Sequence, residues 1–312
     1  MKAVVYDKKS SPDKLVYCDI ERPSPKDNDI LVRIYATSIN ALDYRSMKMG
    51  MIPKRKIFGA DISGEVESIG KNIKKFKPGD EIIGDLSDCG LGGFAEYTIS
   101  PEKALISKPA KISFEAAAAL PVAATTALRG LRDKGNIQKG NTVLIVGSSG
   151  GVGTFAVQLA KHFGAEVTAV CSTKKIEQTL ALGADHCIDY TKEDFTTNEK
   201  RYDLILAING NYSFLAYNRI LNKKGIYVMI GGSMKQIIKS ILFGKIMSLS
   251  SKKMHFLSAK SNKIDLEFIA KTIEDGNIKA VIEKQYPLNK TIDAMRYVSQ
   301  GHAQGKVVIK VI

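Results

Sequence analysis

Short apolar runs, broken by glycine and proline turns, characterise the first 110 residues of the chain. The segment 30–36 shows the two-residue period of a half-buried strand, and four other segments are short runs of β-forming residues. The predicted strands of this region are 1–6, 30–36, 64–69, 81–83 and 95–99. Turn sequences such as Lys77-Pro78-Gly79-Asp80 separate them. Many short strands with this punctuation predict a compact, barrel-like β domain.

The pattern changes near residue 112, where apolar segments of strand length and helix length begin to alternate. Ser113, with Glu115 behind it, has the features of a helix start. The strands predicted after it are 141–146, 166–171, 186–189, 203–208 and 226–230, and the helices are 152–163, 174–182 and 212–221. This alternation predicts a parallel sheet with helices on both faces.

From about residue 254 the pattern is mixed again, with amphipathic helices over 265–275 and 291–299 and a strand over 306–312. We therefore expect the chain to return to its first domain. The predicted domains are 1–112 together with 254–312, and 113–253 as an insertion. The segment 236–247 is apolar at helical spacing, and it fits either a lid over the substrate or a buried packing face.

The composition, with 44% hydrophobic and 25% charged residues among 312, is typical of a soluble globular protein. The most apolar stretch, 116–128, contains Pro121 and is shorter than the roughly 20 residues that a membrane span needs. The first residues carry charges too early for a signal peptide. A cytoplasmic location and no membrane partner are therefore expected. The four cysteines form no Cys-x-x-Cys pair, so their spacing predicts neither a zinc site nor a disulfide framework.

The net charge of +14 is compatible with nucleic acid, an anionic membrane surface or an anionic cofactor as partner. The basic residues are spread along the chain and form no run of five or six. We interpret them as a solvated lysine-rich surface, and we expect no nucleic-acid partner.

The strongest motif is a glycine-rich turn between a predicted strand and a predicted helix. The apolar residues 143–146 lead into Gly147-Ser148-Ser149-Gly150-Gly151-Val152-Gly153. In a dinucleotide-binding motif, small residues let the backbone approach the pyrophosphate, and the N–H groups and dipole of the following helix bind its charge. Ser148 stands at the first position of the usual G-x-G-x-x-G, and glycines keep the other two. The predicted cofactor contacts are Ser148, Gly150, Gly151, Val152 and Gly153, and the alternative is a purely structural turn.

The end of the second predicted strand indicates which dinucleotide binds. NAD-binding domains usually carry Asp or Glu about 20 residues after the turn, where it bonds the ribose 2′-hydroxyl. Here Ser172-Thr173-Lys174-Lys175 stands in that place. Hydroxyl and ammonium groups attract a 2′-phosphate that a carboxylate would repel, so NADPH is the predicted cofactor. The alternative is that these residues cap the next helix.

Further motifs follow one another over almost the whole chain. They are Asn40-Ala41-Leu42-Asp43, Gly59-Ala60-Asp61-Ile62-Ser63-Gly64, Phe76-Lys77-Pro78-Gly79-Asp80, Gly93-Phe94-Ala95-Glu96-Tyr97, Leu120-Pro121-Val122-Ala123-Ala124-Thr125-Thr126-Ala127, Leu182-Gly183-Ala184-Asp185 with Ile188-Asp189-Tyr190, and Gly301-His302-Ala303-Gln304-Gly305-Lys306. With the glycine turn, this set resembles the zinc-independent quinone oxidoreductase and alkenal/enone reductase branch of the medium-chain dehydrogenase/reductase superfamily. The resemblance implies an α/β fold class, in which a GroES-like, β-rich catalytic domain contains an inserted Rossmann domain with a doubly wound parallel sheet.

The ligands of the catalytic zinc are missing. Zinc alcohol dehydrogenases of that superfamily bind the metal through Cys, His and a second Cys, and the matching positions here are Asn40, Ala60 and Val122. None of these side chains replaces a thiolate or an imidazole. Only Cys89 lies where those enzymes have the four-cysteine structural zinc loop. The resemblance therefore implies an enzyme without a metal.

Without a Lewis acid, conjugated acceptors are easier to reduce than simple ketones, because charge spreads from the β-carbon to the carbonyl oxygen. The predicted function is hydride transfer from NADPH to quinones or α,β-unsaturated carbonyls. The resemblance places the predicted catalytic residues Asn40 and Asp43 beside the nicotinamide, with Tyr44 or water as the proton donor. The alternative for Asn40 and Asp43 is a turn or cap role.

The same resemblance implies cofactor contacts elsewhere in the chain. Thr126 is expected at the nicotinamide ribose or ring, and Tyr190 at the adenosine phosphate. Ser172, Thr173 and Lys175 are expected at the 2′-phosphate. The remaining expected contacts are Asn209, Gly231, Gly232, Ser233 and Lys306.

Two other functions remain open: a metal-free alcohol or carbonyl dehydrogenase, and a non-catalytic protein that binds NADPH or RNA. No aromatic platform for stacking RNA bases is recognisable. Subunits of the resembled family often pair through an edge strand of the cofactor domain. A homodimer formed through the strand 225–230 is therefore expected.

Overall fold

The computed structural model describes residues 1–6, 15–208, 212–231, 251–258 and 260–312. They form two compact units, unit 1 from Met1–Thr125 with Lys260–Ile312, and unit 2 from Thr126–Ala259. Along the chain, unit 2 lies between the two segments of unit 1.

The described elements are named here in chain order. The strands are β1 (Lys2–Tyr6), β2 (Leu15–Asp19), β3 (Asp29–Ile39), β4 (Asp61–Ile69), β5 (Glu81–Asp85), β6 (Tyr97–Pro101), β7 (Leu105–Ser107), β8 (Thr142–Val146), β9 (Glu166–Cys171), β10 (His186–Asp189), β11 (Tyr202–Ile208), β12 (Leu221–Ile230), β13 (Lys253–Leu257), β14 (Ile282–Pro287) and β15 (Lys306–Lys310). The α-helices are α1 (Ala41–Lys48), α2 (Phe114–Ala118), α3 (Pro121–Arg129), α4 (Gly151–His162), α5 (Ile176–Ala181), α6 (Phe214–Arg219), α7 (Lys263–Glu274) and α8 (Thr291–Ser299).

Unit 1 is the GroES-like domain, built on a seven-stranded sheet and a two-stranded one. Strands β14, β15, β3, β4, β5 and β7 lie side by side in that order, β6 adds to β3, and β1 pairs with β2. The period of two on β3 turns Ile30, Val32 and Ile34 inward, where they pack with Ile62 and Val66 of β4. Strand β15 pairs antiparallel with β3, so the segment after residue 260 completes this sheet.

The boundary between the units differs from the predicted one. Ser113 caps α2 by accepting the N–H of Ala116, as expected, but α2 belongs to unit 1. The ring of Phe114 stacks on Tyr35 of β3 with ring centroids 4.3 Å apart. This contact ties the helix to the β domain, whereas the sequence assigned 113–253 to the cofactor domain.

Unit 2 has the Rossmann architecture, a parallel sheet in the order β10, β9, β8, β11, β12, β13. Its central strands are apolar because both faces are covered: Val143, Leu144 and Ile145 of β8 are fully buried. The fold class predicted from the resemblance is confirmed.

Two expectations about the edge of this sheet are wrong. Strand β12 lies between β11 and β13, so the segment 225–230 is not an edge strand. The outer strand on that side, within the described residues, is β13, which the domain prediction divided at residue 254. The segment 236–247 lies outside the described residues. No described helix is long and apolar enough to cross a bilayer.

Candidate functional site

The glycine-rich turn joins β8 to α4 in unit 2. Gly147 has φ +81°, and a Cβ there would lie 2.3 Å from the carbonyl oxygen of Ile208. A Cβ on Gly153 would lie 2.2 Å from the carbonyl oxygen of Gly147. These two glycines therefore allow the tight turn and the close approach of α4 to the strand.

Gly150, the N-cap of α4, has open space beside it, whereas Gly147 and Gly153 are crowded. A Cβ there would meet only the carbonyl oxygen of Gly147, at 3.9 Å, and no side chain caps the helix. The first helical bond of α4 is Thr154 N–H to Gly150 O, so it leaves the N–H groups of Gly151, Val152 and Gly153 without intrahelical acceptors. A helix N-terminus with open space beside it is suited to a phosphate anion.

Ser148 faces inward, although the sequence predicts it among the cofactor contacts. Its side chain is fully buried, and its hydroxyl donates to the carbonyl oxygen of Val170 at 3.1 Å. The backbone N–H of Ser148 donates to the same oxygen at 3.3 Å, so both bonds link the turn to β9, and the cofactor contact of Ser148 stays a prediction.

The cluster at the end of β9 combines hydroxyl groups, a lysine and one carboxylate. Ser172 makes no side-chain cap bond to the following 3-10 turn, so the capping alternative does not describe it. Lys175 lies on the same turn and is half-buried. Thr173 donates to Asp189 at the end of the neighbouring strand β10, and Asp189 also accepts from the hydroxyl of Thr191 at 2.7 Å.

Asp189 is a residue that the sequence argument missed. It pairs in register with Cys171, the last residue of β9, so the parallel sheet brings a carboxylate to the predicted 2′-phosphate site. Hydrogen bonds from Thr173 and Thr191 hold the pKa of Asp189 below its usual range. The Lys192 ammonium lies 3.9 Å from the Asp189 carboxylate and partly balances its negative charge.

The other predicted cofactor contacts fall into three groups. Thr126 on α3 is nearly buried, and Tyr190 is half exposed directly after β10. Gly231 follows β12 in a left-handed conformation, with φ +70°. Asn209, Gly232 and Ser233 lie outside the described residues.

The second cluster lies in unit 1, where β3 ends and α1 begins. Asp43 is fully buried, and its carboxylate accepts the backbone N–H groups of Asn40 at 2.8 Å and of Gly59 at 3.0 Å. Burial raises the pKa of Asp43 to about 7 against the effect of these two bonds. The side chain therefore has the cap role that the sequence left open, and its predicted catalytic role stays a prediction.

The side chain of Asn40, which takes part in a capping box with Asp43, joins two buried charges. Its Nδ2 donates to Asp61 Oδ2 at 2.7 Å, and its Oδ1 accepts from the Lys306 ammonium at 2.7 Å. Lys306 also donates to Asp61 Oδ2 at 3.2 Å and to the carbonyl oxygen of Ile39 at 3.4 Å. Three acceptors of unit 1 thus surround the Lys306 ammonium, and the predicted cofactor contact of this side chain stays a prediction.

Both carboxylate oxygens of Asp61 accept hydrogen bonds from other residues of the cluster or its surroundings. Oδ1 accepts the backbone N–H of Val122 at 2.9 Å, and Oδ2 accepts Ser38 and Asn40 besides Lys306. Asp61 belongs to the Gly59–Gly64 motif, but the sequence argument assigned it no role. Its partner Lys306 is 245 positions away, and no local pattern indicates such a pairing.

This cluster does not fit a zinc ion. The motif positions of the metal ligands, Asn40, Ala60 and Val122, supply one amide side chain and no thiolate or imidazole. The ammonium of Lys306 beside Asp61 is a cation already in place, and it would repel a second one. The described residues contain no group of three His, Cys, Asp or Glu side chains that could hold a metal.

Tyr44, the predicted proton donor, lies on α1 one residue after Asp43 and is partly buried against the unit 1 core. Its ring faces the side chains of Arg45 and Lys48, whose charged ends lie 5.9 and 5.8 Å from the ring centroid. Nothing in these contacts assigns the proton transfer to Tyr44.

Two family models match this chain. The family model of the alcohol dehydrogenase GroES-like domain matches residues 26–110, and that of the zinc-binding dehydrogenase matches residues 182–309. The chloroplast envelope quinone oxidoreductase homolog of Arabidopsis thaliana is 33% identical over 95% of this chain and 94% of that protein. The chloroplastic NADPH-dependent alkenal/one oxidoreductase of the same plant is 32% identical over 99% of this chain and 79% of that protein. Among solved structures, the quinone oxidoreductase from Coxiella burnetii superposes with a TM-score of 0.91 at 28% identity, covering 100% of this chain and 99% of that one.

Proposed function

This chain belongs to the medium-chain dehydrogenase/reductase superfamily, and on that premise we propose that it is a zinc-independent reductase that transfers hydride from NADPH to quinones or α,β-unsaturated carbonyl compounds. The single observation that carries the proposal is the Asn40–Asp61–Lys306 cluster, in which Asn40 stands at one of the three motif positions of the catalytic metal. An ammonium bonded to Asn40 and Asp61 would repel a metal cation at this position, which supports a reaction without a Lewis acid. A Lewis acid is needed least by a substrate that spreads the developing negative charge by conjugation.

The cofactor part of the proposal rests on the turn between β8 and α4. The uncapped N–H groups of Gly151 and Val152 and the space beside Gly150 suit a pyrophosphate. Ser172, Thr173 and Lys175 suit a 2′-phosphate, and the related alkenal/one oxidoreductase is NADPH-dependent by name. The bound nicotinamide would supply the hydride, as it does in this class of enzyme.

On the acceptor side, Asn40 is the residue suited to donate a hydrogen bond to the oxygen on which charge develops. Asp43 fixes the start of α1 and thereby the backbone of Asn40, so we propose a positioning role for it. Tyr44 and water remain the two candidate proton donors. A Tyr44→Phe variant that keeps its turnover would leave water as the donor.

We further propose that the protein is a homodimer, paired through β13 in place of the segment 225–230. Backbone N–H and C=O groups on the outer side of a terminal strand are available for pairing with a second copy. Sedimentation as a monomer would overturn this. The cytoplasmic location stays a prediction, since two of the related proteins carry chloroplast in their names.

The test is a panel of acceptors with the purified protein, in which NADPH oxidation is followed by absorbance. Turnover with a quinone or an enone, without turnover of the matched saturated ketone, supports the proposal. Turnover of the saturated ketone favours the metal-free carbonyl dehydrogenase. No oxidation of NADPH with any acceptor would reject both enzymes.

Asn40→Leu provides the matched variant for the acceptor panel, because it keeps the side-chain size and removes the amide. We expect its turnover to fall about 100-fold, which is the usual effect of losing one oxyanion donor. Leu215→Ala, at a side chain that is 73% exposed in unit 2, serves as the control that should keep wild-type turnover.

A further inference from the structure

We propose that Lys306 is a positioning residue for the reaction, because it fixes the amide of Asn40 in the one orientation that leaves an N–H free to donate to the acceptor oxygen. The inference rests on the proposed function and adds to it a residue that acts through Asn40 and touches neither cofactor nor substrate.

The orientation of the Asn40 amide is determined by two opposite charges. With Oδ1 toward the ammonium of Lys306 and Nδ2 toward the carboxylate of Asp61, both hydrogen bonds are 2.7 Å long. Rotating the amide by half a turn would place its NH₂ against the ammonium and its oxygen against the carboxylate. Both contacts would then be repulsive, so only one orientation is stable.

This arrangement leaves one hydrogen of Asn40 Nδ2 available. The first bonds to Asp61, and no hydrogen bond within the described residues takes the second. Asn40 keeps 7% of its surface exposed, whereas Asp61 is fully buried and Lys306 is 2% exposed. Asn40 is therefore the most exposed residue of the cluster, and we infer that a ligand of unit 1 would reach it first.

The charge of Lys306 also makes that hydrogen a better donor. A hydrogen bond to the oxygen of an amide draws electron density away from its nitrogen, so the N–H groups donate more strongly. The buried ammonium thus acts on an acceptor oxygen through Asn40, and it stays fixed because Ile39 and Asp61 hold it from other sides. Preorganised donors of this kind require no rearrangement when the charge develops.

A direct role of Lys306 at the cofactor predicts different kinetics from a positioning role. If Lys306 positions Asn40, Lys306→Met lowers kcat about 10-fold or more and leaves the dissociation constant of NADPH, measured by its fluorescence, within about two-fold. Lys306→Gln, which keeps an N–H donor for Oδ1 without the charge, should recover part of kcat. A rise in the NADPH dissociation constant of about 10-fold at unchanged kcat would overturn the proposal.

The double variant separates action through Asn40 from independent action. Since Lys306 works through the amide, Lys306→Met combined with Asn40→Leu should be no slower than Asn40→Leu alone. Multiplying effects would show that Lys306 acts on the reaction by another route, and they would reject the proposal.

A measurement without any acceptor keeps the inference independent of the proposed activity. In ¹⁵N spectra, the side-chain signal of Asn40 is identified by its loss in Asn40→Leu. One of its two protons should exchange slowly in the wild type, quickly in Lys306→Met and at an intermediate rate in Lys306→Gln. Equal exchange in wild type and both variants would overturn the orientation argument, whether or not the protein turns over any acceptor.

Discussion

The ammonium nitrogen of Lys306 lies 3.2 Å from Oδ2 of Asp61, although the two residues are 245 positions apart in the chain. The side chains are 2% and 0% exposed, so neither charge is compensated by water. A buried ion pair stabilises little relative to apolar residues, but the loss of one partner is costly because the other charge stays buried.

Lys306→Met should therefore lower the free energy of unfolding by about 3 kcal/mol or more, within the range found for broken buried pairs. Adding Asp61→Asn removes the uncompensated charge and should restore part of the loss, so the two changes should be clearly non-additive. Denaturant unfolding of the two single variants and the double variant measures this. Additive effects would show that the two charges are energetically independent.

Substitution of two glycines of the turn should have different effects, on stability at Gly153 and on NADPH binding at Gly150. Gly153→Ala forces a Cβ to within 2.2 Å of a backbone oxygen, and we expect it to destabilise the protein by about 2 kcal/mol through overpacking. Gly150→Ala meets only one atom, at 3.9 Å, so unfolding should change by less than about 0.5 kcal/mol. Its methyl group occupies the space proposed for the pyrophosphate, and the NADPH dissociation constant should rise about 10-fold or more. Unchanged NADPH binding in Gly150→Ala would place the phosphates elsewhere.

The preference for NADPH over NADH should depend on Lys175. Lys175→Glu replaces an attractive charge at the 2′-phosphate with a repulsive one, and kcat/KM for NADPH should fall about 10-fold or more. The value for NADH should change little, because NADH carries no 2′-phosphate. Lys223→Glu, an exposed charge reversal on β12, is the control for net charge. A fall of the same size with NADH would contradict the assignment.

The pH dependence of stability should reveal Asp85, whose pKa burial raises to about 6 from the ordinary value of 3.8. Between these values the folded protein holds a proton that the unfolded chain has released, so this contribution to stability is present in acid and is lost as pH rises to about 6. Asp85→Asn keeps an Oδ1 for its bonds from Ser87 and cannot ionise. The free energy of unfolding of Asp85→Asn, relative to that of the wild type, should be about 2 kcal/mol higher at about pH 7.5 than at about pH 4.5. If the unfolding free energies of variant and wild type differ by the same amount at both pH values, the pKa of Asp85 is not raised by folding.

Chelators should leave the enzyme unaffected. The positions Asn40, Ala60 and Val122 provide no metal-binding set, and Lys306 supplies the local positive charge. Dialysis against 1,10-phenanthroline should change neither turnover nor unfolding, and elemental analysis should find no stoichiometric zinc. Zinc at one equivalent, with activity lost on its removal, would refute the proposed chemistry.

The Rossmann half of the fold could be predicted almost strand by strand. Strands β9 and β10 have the predicted bounds, because their apolar runs are short and are bordered by polar residues. The strand β13, Lys-Met-His-Phe-Leu, was missed because it is mostly half-exposed and has no clear period. Strand β14 was missed for a similar reason, since Glu283, Lys284 and Gln285 interrupt its apolar positions.

The candidate site could be predicted where the chemistry is local. The glycine turn follows from consecutive residues, and the return of Asp43 to the N–H of Asn40 follows from helix-cap spacing. The approach of Asp189 to the end of β9 depends on strand order, and the pairing of Lys306 with Asp61 depends on the last strand of unit 1. Neither contact can be predicted from the spacing of residues in the sequence.

The insertion of unit 2 also imposes an order on folding during synthesis. The described strands of the unit 2 sheet are all made once the chain reaches residue 257, whereas unit 1 must wait for β15, which pairs with β3 and brings Lys306. Until then Asp61 lacks its cation, and residues 36–39 of β3 lack the strand that pairs with them, so other chains could bind there. A nascent chain that has emerged from the ribosome to a point between residues 260 and 305 would therefore carry a complete nucleotide-binding unit beside an incomplete sheet that other chains could bind.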